Sequence, residues 1–436
     1  MKYIEDNYEN MLNDLKRLVK YNSVLCDDEK PFGSQNRKVL DEAISLMNEK
    51  GFNTKNVDYY ACYGEVGQGD KTIGVVCHLD IVPAGEGWDS NPFEVVQKGD
   101  RLYGRGVSDD KGAAVASMYA IKYLLDTNYQ FKKKVRLILG CNEETGSKCI
   151  KHYVEKEGGV DMGFTPDGEF PGIYAEKGMI SGVFKAKSKI VNIKGGEASN
   201  IVCKKVECEL PVNSYDANKF KKYLDDNNIK YEINGNSVTV FGIAAHASAP
   251  DSGVNAMSYL MEALYNADFG DEYVDLYHKY IGLDVHGEKF GMLPLKDDET
   301  DTSVNIGVIK KEGDYVLASV DMRFPITRTV DDCKKILENI EPLEIKNMIN
   351  PLYFEKDSPM IKAMLKAYRD VTGDNGDMIA IGGGTYAKSI KNIIAFGCAF
   401  NEEENHIHDA NESLGIEDFK KQVEIYIEAI KNLNEV

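Results

Sequence analysis

Long apolar runs are missing from this sequence. No stretch reaches 18 consecutive apolar residues, roughly what a membrane-crossing helix needs, so no membrane partner is expected. Positive charge is also scarce: 52 Lys and Arg stand against 71 Asp and Glu, a net charge of −19. Nucleic acid and anionic membranes both require a cationic face, so neither is expected as a partner. No Cys-x-x-Cys pair occurs among the nine scattered cysteines. A thiolate zinc knuckle is thereby excluded, and the odd count reads as reduced thiols in a cytoplasm. The opening segment lacks the apolar centre of a secretory signal. Instead "MKYIEDNYENMLNDLKRLVKYN" spaces Ile4, Tyr8, Met11, Leu15, Leu18 and Val19 as one face of an amphipathic helix.

What is present is an alternation of helix and strand. A chain of 436 residues exceeds one compact core, so two domains are expected. From 34 to 175, "TIGVVCHLD" and "VRLILGC" read as strands, 112–126 and 147–157 as helices, and Ser34 as the cap of a helix ended by Gly51. The same texture returns near the end, with "MIKAMLKAYRDV" as a helix, "NIIAFGCAF" as a buried strand and 414–433 as a last amphipathic helix. The expected fold class is α/β, a mainly parallel-sheet α/β/α catalytic domain over 1–177 and 358–436. Between them, 178–357 reads as an inserted α+β lid domain. Its segments "CELPVNSYDANKFKKYL" (208–224) and "DMRFPITRTVDDCKKIL" (321–337) resemble each other, which points to an internal duplication.

In an open α/β sheet, ligands bind beyond the carboxyl ends of the strands. The polar residues at those ends are His78 and Asp80 in "VVCHLDIVPAG", Asp109 and Asp110 in "VSDDKG", Glu143 and Glu144 in "CNEETGS", and Asp167 in "TPDGEFPG". "ENHIHDANE" adds His406 and His408 before the last helix. Taken singly, each has an ordinary explanation: Asp109 or Asp110 as a helix cap, the glutamates as solvated loop charges. Converging at one sheet edge, so many carboxylates would repel strongly unless cations neutralised them. Two histidines and three carboxylates make an N/O donor set suited to Zn²⁺, with Mn²⁺ or Co²⁺ as alternatives. Two such ions bring +4 against −3 from Asp109, Glu144 and Asp167, a balance that favours a bound hydroxide and a two-metal hydrolase.

The series "HLDIVPAGEGWDSNPF", "YGRGVSDDKG", "NEETGS", "TPDGEFP", "GIAAHASAPDSGVNA", "GGGTYAKSI" and "HDANE" runs in order over nearly the whole chain. It resembles the motifs of the dinuclear zinc peptidases, which include aminoacylases, carnosinases, acetylornithine deacetylases and PepV-type bacterial dipeptidases. The resemblance implies that His78 and Asp167 hold one ion, Glu144 and His408 the other, and that Asp109 bridges both. It also implies that Asp80 orients a liganding imidazole, that Glu143 is the general base, and that the Asp109–Asp110 bond is cis. His246 in "AAHASAP" would stabilise the oxyanion, while Arg323, Asn200 and the backbone of Gly383 and Gly384 would bind the substrate. The expected activity is hydrolysis of dipeptides or short peptides with a free amino end, through a metal-bridging hydroxide. A deacylase of N-acyl amino acids and a catalytically silent binding protein are the alternatives. Relatives with a small lid dimerise; the longer insertion here makes a monomer the expected state.

Overall fold

The structure is a computed structural model describing residues 1–292, 297 and 300–436. It comprises two compact units, Met1–Ala175 with Phe354–Ile379 and Gly384–Val436, and Glu176–Tyr353 with Ala380–Gly383.

The sheet of the first unit runs in the order Asn53–Val57, Ala61–Val66, Lys134–Gly140, Thr72–His78, Met162–Thr165, Ile393–Ala395, Ile173–Glu176. Its middle four strands are parallel. A parallel strand covered on both faces reads as a continuous apolar run rather than an alternation. Thr72–His78 does so, with Ile73 to His78 all buried. Helices Lys111–Asp126 and Ile416–Glu435 pack on the parallel core, while Ser34–Glu49 and Lys148–Glu157 pack at the antiparallel edge. Two local expectations need correction. Ser34 is the first helical residue, not the cap; its N–H and hydroxyl both donate to Asp28, at 2.9 and 2.6 Å. "NIIAFGCAF" is a strand only over Ile393–Ala395; Gly397 beyond it takes φ +74°, outside the extended range.

The second unit is an eight-stranded antiparallel sheet ordered Tyr231–Asn234, Ser237–Phe241, Lys205–Glu209, Asn192–Gly195, Ser303–Glu312, Tyr315–Phe324, Gly178–Lys187, Leu343–Ile349. Along Gly178–Lys187, buried residues alternate with more exposed ones, the signature of a sheet covered on one face. Phe184, Leu260, Tyr273 and Tyr277 lie in the core beneath. The two resembling segments occupy equivalent places. Lys205–Glu209 and Tyr315–Phe324 are third from opposite edges, and each is followed by a helix (Ala217–Asp226, Val330–Leu337) and then by an edge strand. Among the described residues the halves meet at two paired positions, Lys194↔Lys310 and Gly195↔Ile309.

Candidate metal centre

The site of the first unit is built by strand register. His78 pairs in parallel with Gly140, so the residues just past Gly140, Asn142 to Glu144, emerge beside it. Met162–Thr165, on the other side of Thr72–His78, delivers Asp167 just beyond its end. A small antiparallel sheet supplies the rest. Arg101–Tyr103 pairs with Ser413–Gly415, bringing the loop that carries Asp109 to the loop that carries His408.

Asp109 sits at the centre. Its Oδ1 is 2.8 Å from His78 Nε2 and its Oδ2 is 2.9 Å from His408 Nε2. Each of its oxygens therefore faces a different imidazole. Asp167 lies 3.9 Å from His78, and Glu144 lies 3.4 Å from His408. His78, Asp109 and Glu144 form one group able to hold a metal ion, and His78, Glu143 and Asp167 form another. His406 and His408 are both exposed, and neither belongs to these two groups; His408 joins the cluster through Asp109 and Glu144. The Asp109–Asp110 bond is cis.

Crowded acids shape the electrostatics. Burial, reinforced by the charges of Asp109 and Glu144, pushes the Asp167 carboxyl up to about 7. Burial and Asp167 raise Glu143 well above the carboxylate range, and burial and Asp109 raise Glu144. Asp109 is the exception: burial opposes its charge, but the His78 and His408 imidazoles hold its carboxyl far below the usual range. Hydrogen bonds to Asp109 and Glu144 in turn lift His408 to about 11. Burial alone would discharge His78, yet Asp109, Asp80 and Asp167 hold it well above the ordinary imidazole range.

Asp80 faces both His78 and the turn of Glu143 and Glu144. Its backbone carbonyl is 3.0 Å from His78 Nδ1, while its carboxylate oxygen is 3.6 Å away. The carboxylate instead accepts the backbone N–H groups of Glu143 and Glu144, each at 3.1 Å. Asp110 caps no helix with its side chain; it accepts the His78 backbone N–H at 3.1 Å. Cys77 and Cys141 are buried in the core. Sequence reasoning gave no role to Arg105 or Glu412, although both lie inside quoted motifs, "YGRG" and "HDANE". They form a buried ion pair at 2.7 Å.

In the second unit, the bridge Ile201↔His246 sets Asn200 beside the histidine, with Ala247 N–H donating to Asn200 O at 2.8 Å. His246 is exposed, and its Nδ1 is 2.7 Å from Ser248 Oγ. Arg323 is buried, and its fork is already engaged. Nε and Nη2 donate to Asp321 at 2.6 and 2.9 Å, and Nη1 donates to Gly382 O at 3.1 Å. Gly383 belongs to this unit and Gly384 to the first.

Imidazoles and carboxylates gathered past the carboxyl ends of parallel strands define an α/β enzyme with a cluster able to hold metal. Residues 74–432 match Peptidase family M20/M25/M40, and the chain belongs to that family. A Staphylococcus haemolyticus protein named "Putative dipeptidase SH1171" is 33% identical over 97% of both chains. Bacillus subtilis "Putative dipeptidase YtjP" is 32% identical over 98% of this chain and 97% of its own. Among solved structures, human carnosine dipeptidase 1 aligns with a TM-score of 0.63 at 17% identity, over 100% of this chain and 98% of its own. Dug1p of Saccharomyces cerevisiae, a di-peptidase by its description, aligns with 0.60 at 16%, over 100% and 98%. These two likenesses concern the fold. No helix among the described residues is long and apolar enough to cross a membrane.

Proposed function

We propose that this chain is a metal-dependent dipeptidase. The observation that carries the reading is the division of Asp109, one carboxylate oxygen toward His78 and the other toward His408. That is how a carboxylate shared between two cations must be placed. The donor set fits Zn²⁺, Mn²⁺ or Co²⁺, since it is all N and O and offers no thiolate. His78 and Asp167 would hold one ion, His408 and Glu144 the second, and Asp109 both. Two such ions supply Lewis-acid polarisation of the scissile carbonyl and a water that ionises near neutral pH.

Glu143 accepts the proton of the attacking water and returns it to the leaving amine. A carboxylate within reach of that water can serve both transfers. By resemblance, His246 stabilises the developing oxyanion. By the same resemblance Arg323, held by Asp321, would receive the substrate carboxylate together with Asn200 and the backbone of Gly383. Asp321 and the Gly382 carbonyl together leave one N–H on each terminal nitrogen of Arg323, enough for two further hydrogen bonds. Relatives at about one-third identity that carry a dipeptidase name support peptides over N-acyl amino acids. Nine free cysteines support a reducing, cytoplasmic setting. The two like halves of the eight-stranded sheet support a monomer, which light scattering would report as 48.6 kDa.

The experiment is a panel of dipeptides against N-acetyl and N-succinyl amino acids, with metal content measured on the same sample. Turnover of the dipeptides by protein holding two divalent ions is expected. Turnover of the acylated amino acids alone would make the chain a deacylase.

A further inference from the structure

The Arg105 and Glu412 side chains are each 1% exposed. Burying opposite charges costs several kcal/mol per ion before their attraction is counted, so such a pair is weak evidence for stability alone. Arg105 Nε is moreover buried with no hydrogen-bond partner. What the pair achieves is geometric. Glu412 accepts the backbone N–H groups of Gly106, Ser108 and Asp109 at 2.9–3.2 Å. Arg105 Nη2 lies 3.3 Å from the carbonyl oxygen of His408 and 3.4 Å from those of Pro83 and Ala84. The backbones of Asp109 and His408, 299 residues apart, are thus attached to opposite ends of one ion pair.

A third segment joins them. Trp88 presents its ring with the centre 5.3 Å from the Arg105 guanidinium carbon and donates from Nε1 to Ala84 O at 2.7 Å. Asn411 Oδ1 accepts the Asp89 N–H at 2.9 Å. Trp88 is the only tryptophan in the sequence, so its fluorescence reports on this junction alone.

We propose that Arg105 and Glu412 are positioning residues of the metal centre, fixing the spacing between the Asp109 carboxylate and the His408 imidazole. The inference rests on the two-metal reading above. Outer partners that orient ligands typically contribute 10- to 100-fold to metal affinity.

The test is Glu412→Gln in the full-length protein. The amide keeps the size and one acceptor but turns an N–H donor against its surroundings. Zn²⁺ and Mn²⁺ affinities are measured by chelator competition, alongside Trp88 emission and the KM-against-kcat split at saturating metal. Binding weaker by 10- to 100-fold, altered Trp88 emission, and a kcat that recovers in part with excess metal at unchanged KM are expected. Wild-type protein that binds neither ion would remove the metal reading itself. Wild type and variant binding equally, with unchanged emission, would overturn only this inference. If Glu412→Gln does not fold, Arg105→Lys decides. It keeps the charge opposite Glu412 but not the fork that reaches three carbonyls, and unchanged metal affinity there overturns the proposal.

Discussion

Asp80 Oδ1 accepts the backbone N–H of Glu143 at 3.1 Å, across 63 residues of sequence. Its Oδ2 does the same for Glu144. One carboxylate thereby fixes the turn from which the proposed base and a proposed ligand diverge. Replacement by asparagine keeps the shape but leaves one backbone N–H facing an amide N–H. Asp80→Asn should lower kcat by roughly 10- to 100-fold and stability by about 1–3 kcal/mol, the cost of an unmet polar group out of water. Native kcat in a folded variant would remove this role.

Base and ligand functions should separate by mutation. Glu143→Gln should lose nearly all turnover while retaining both metal ions, whereas His408→Ala should lose metal. Metal analysis and kinetics on the same preparations check this. A Glu143→Gln protein with near-normal rate would require another base.

Metal uptake should release protons. His78 and His408 are both raised above the ordinary imidazole value of 6.5, His408 to about 11, and Asp167 is raised to about 7. At pH 7 the metal-free site therefore carries protons that ligation must displace. The His408 contribution to metal-free stability is fully present below pH 6.5 and is lost as pH rises through about 11. Metal affinity runs the opposite way and should rise with pH. Calorimetry in buffers of different ionisation enthalpy counts the protons, and uptake with none released would contradict the ligand assignment.

Asp321 should matter through Arg323. The buried fork is oriented by two hydrogen bonds from one carboxylate, so Arg323→Lys loses direction as well as reach. KM for dipeptides with a free C-terminal carboxylate should rise roughly 10- to 100-fold, the worth of hydrogen bonds to a charged group. C-terminally amidated substrates should change little. Equal effects on both substrate classes would place the carboxylate elsewhere.

The gathering of His78, Asp109, Glu143, Glu144, Asp167 and His408 could be read in advance because most of them end an apolar run or sit in a short polar turn. Pairings between distant segments could not. Nothing local in "YGRG" signals that Arg105 meets a glutamate 307 residues later. Asp110 looked like a helix cap because an acid before a helix reads the same whether it accepts from that helix or, as here, from His78 on a strand. Arg323 was within reach of the sequence: strand side chains repeat every two residues, so Asp321 shares its face. The eight-stranded sheet followed from the repeat only in outline, since its two-position joint depends on register that alternation alone does not set.

The strand Ile393–Ala395 lies between Met162–Thr165 and Ile173–Glu176 in the first sheet. During synthesis those two neighbours leave the ribosome more than 200 residues before the strand that separates them. Chains grow and fold from the N-terminus at roughly 5–20 residues per second, so the nascent sheet waits about 10 to 40 seconds with a gap beside Met162–Thr165. Over the same interval Asp109, Glu144 and Asp167 have been made, but His408 and Glu412, which holds the Asp109 loop, have not. The last forty-odd residues close the sheet and complete the donor set together, so a chain released early has neither.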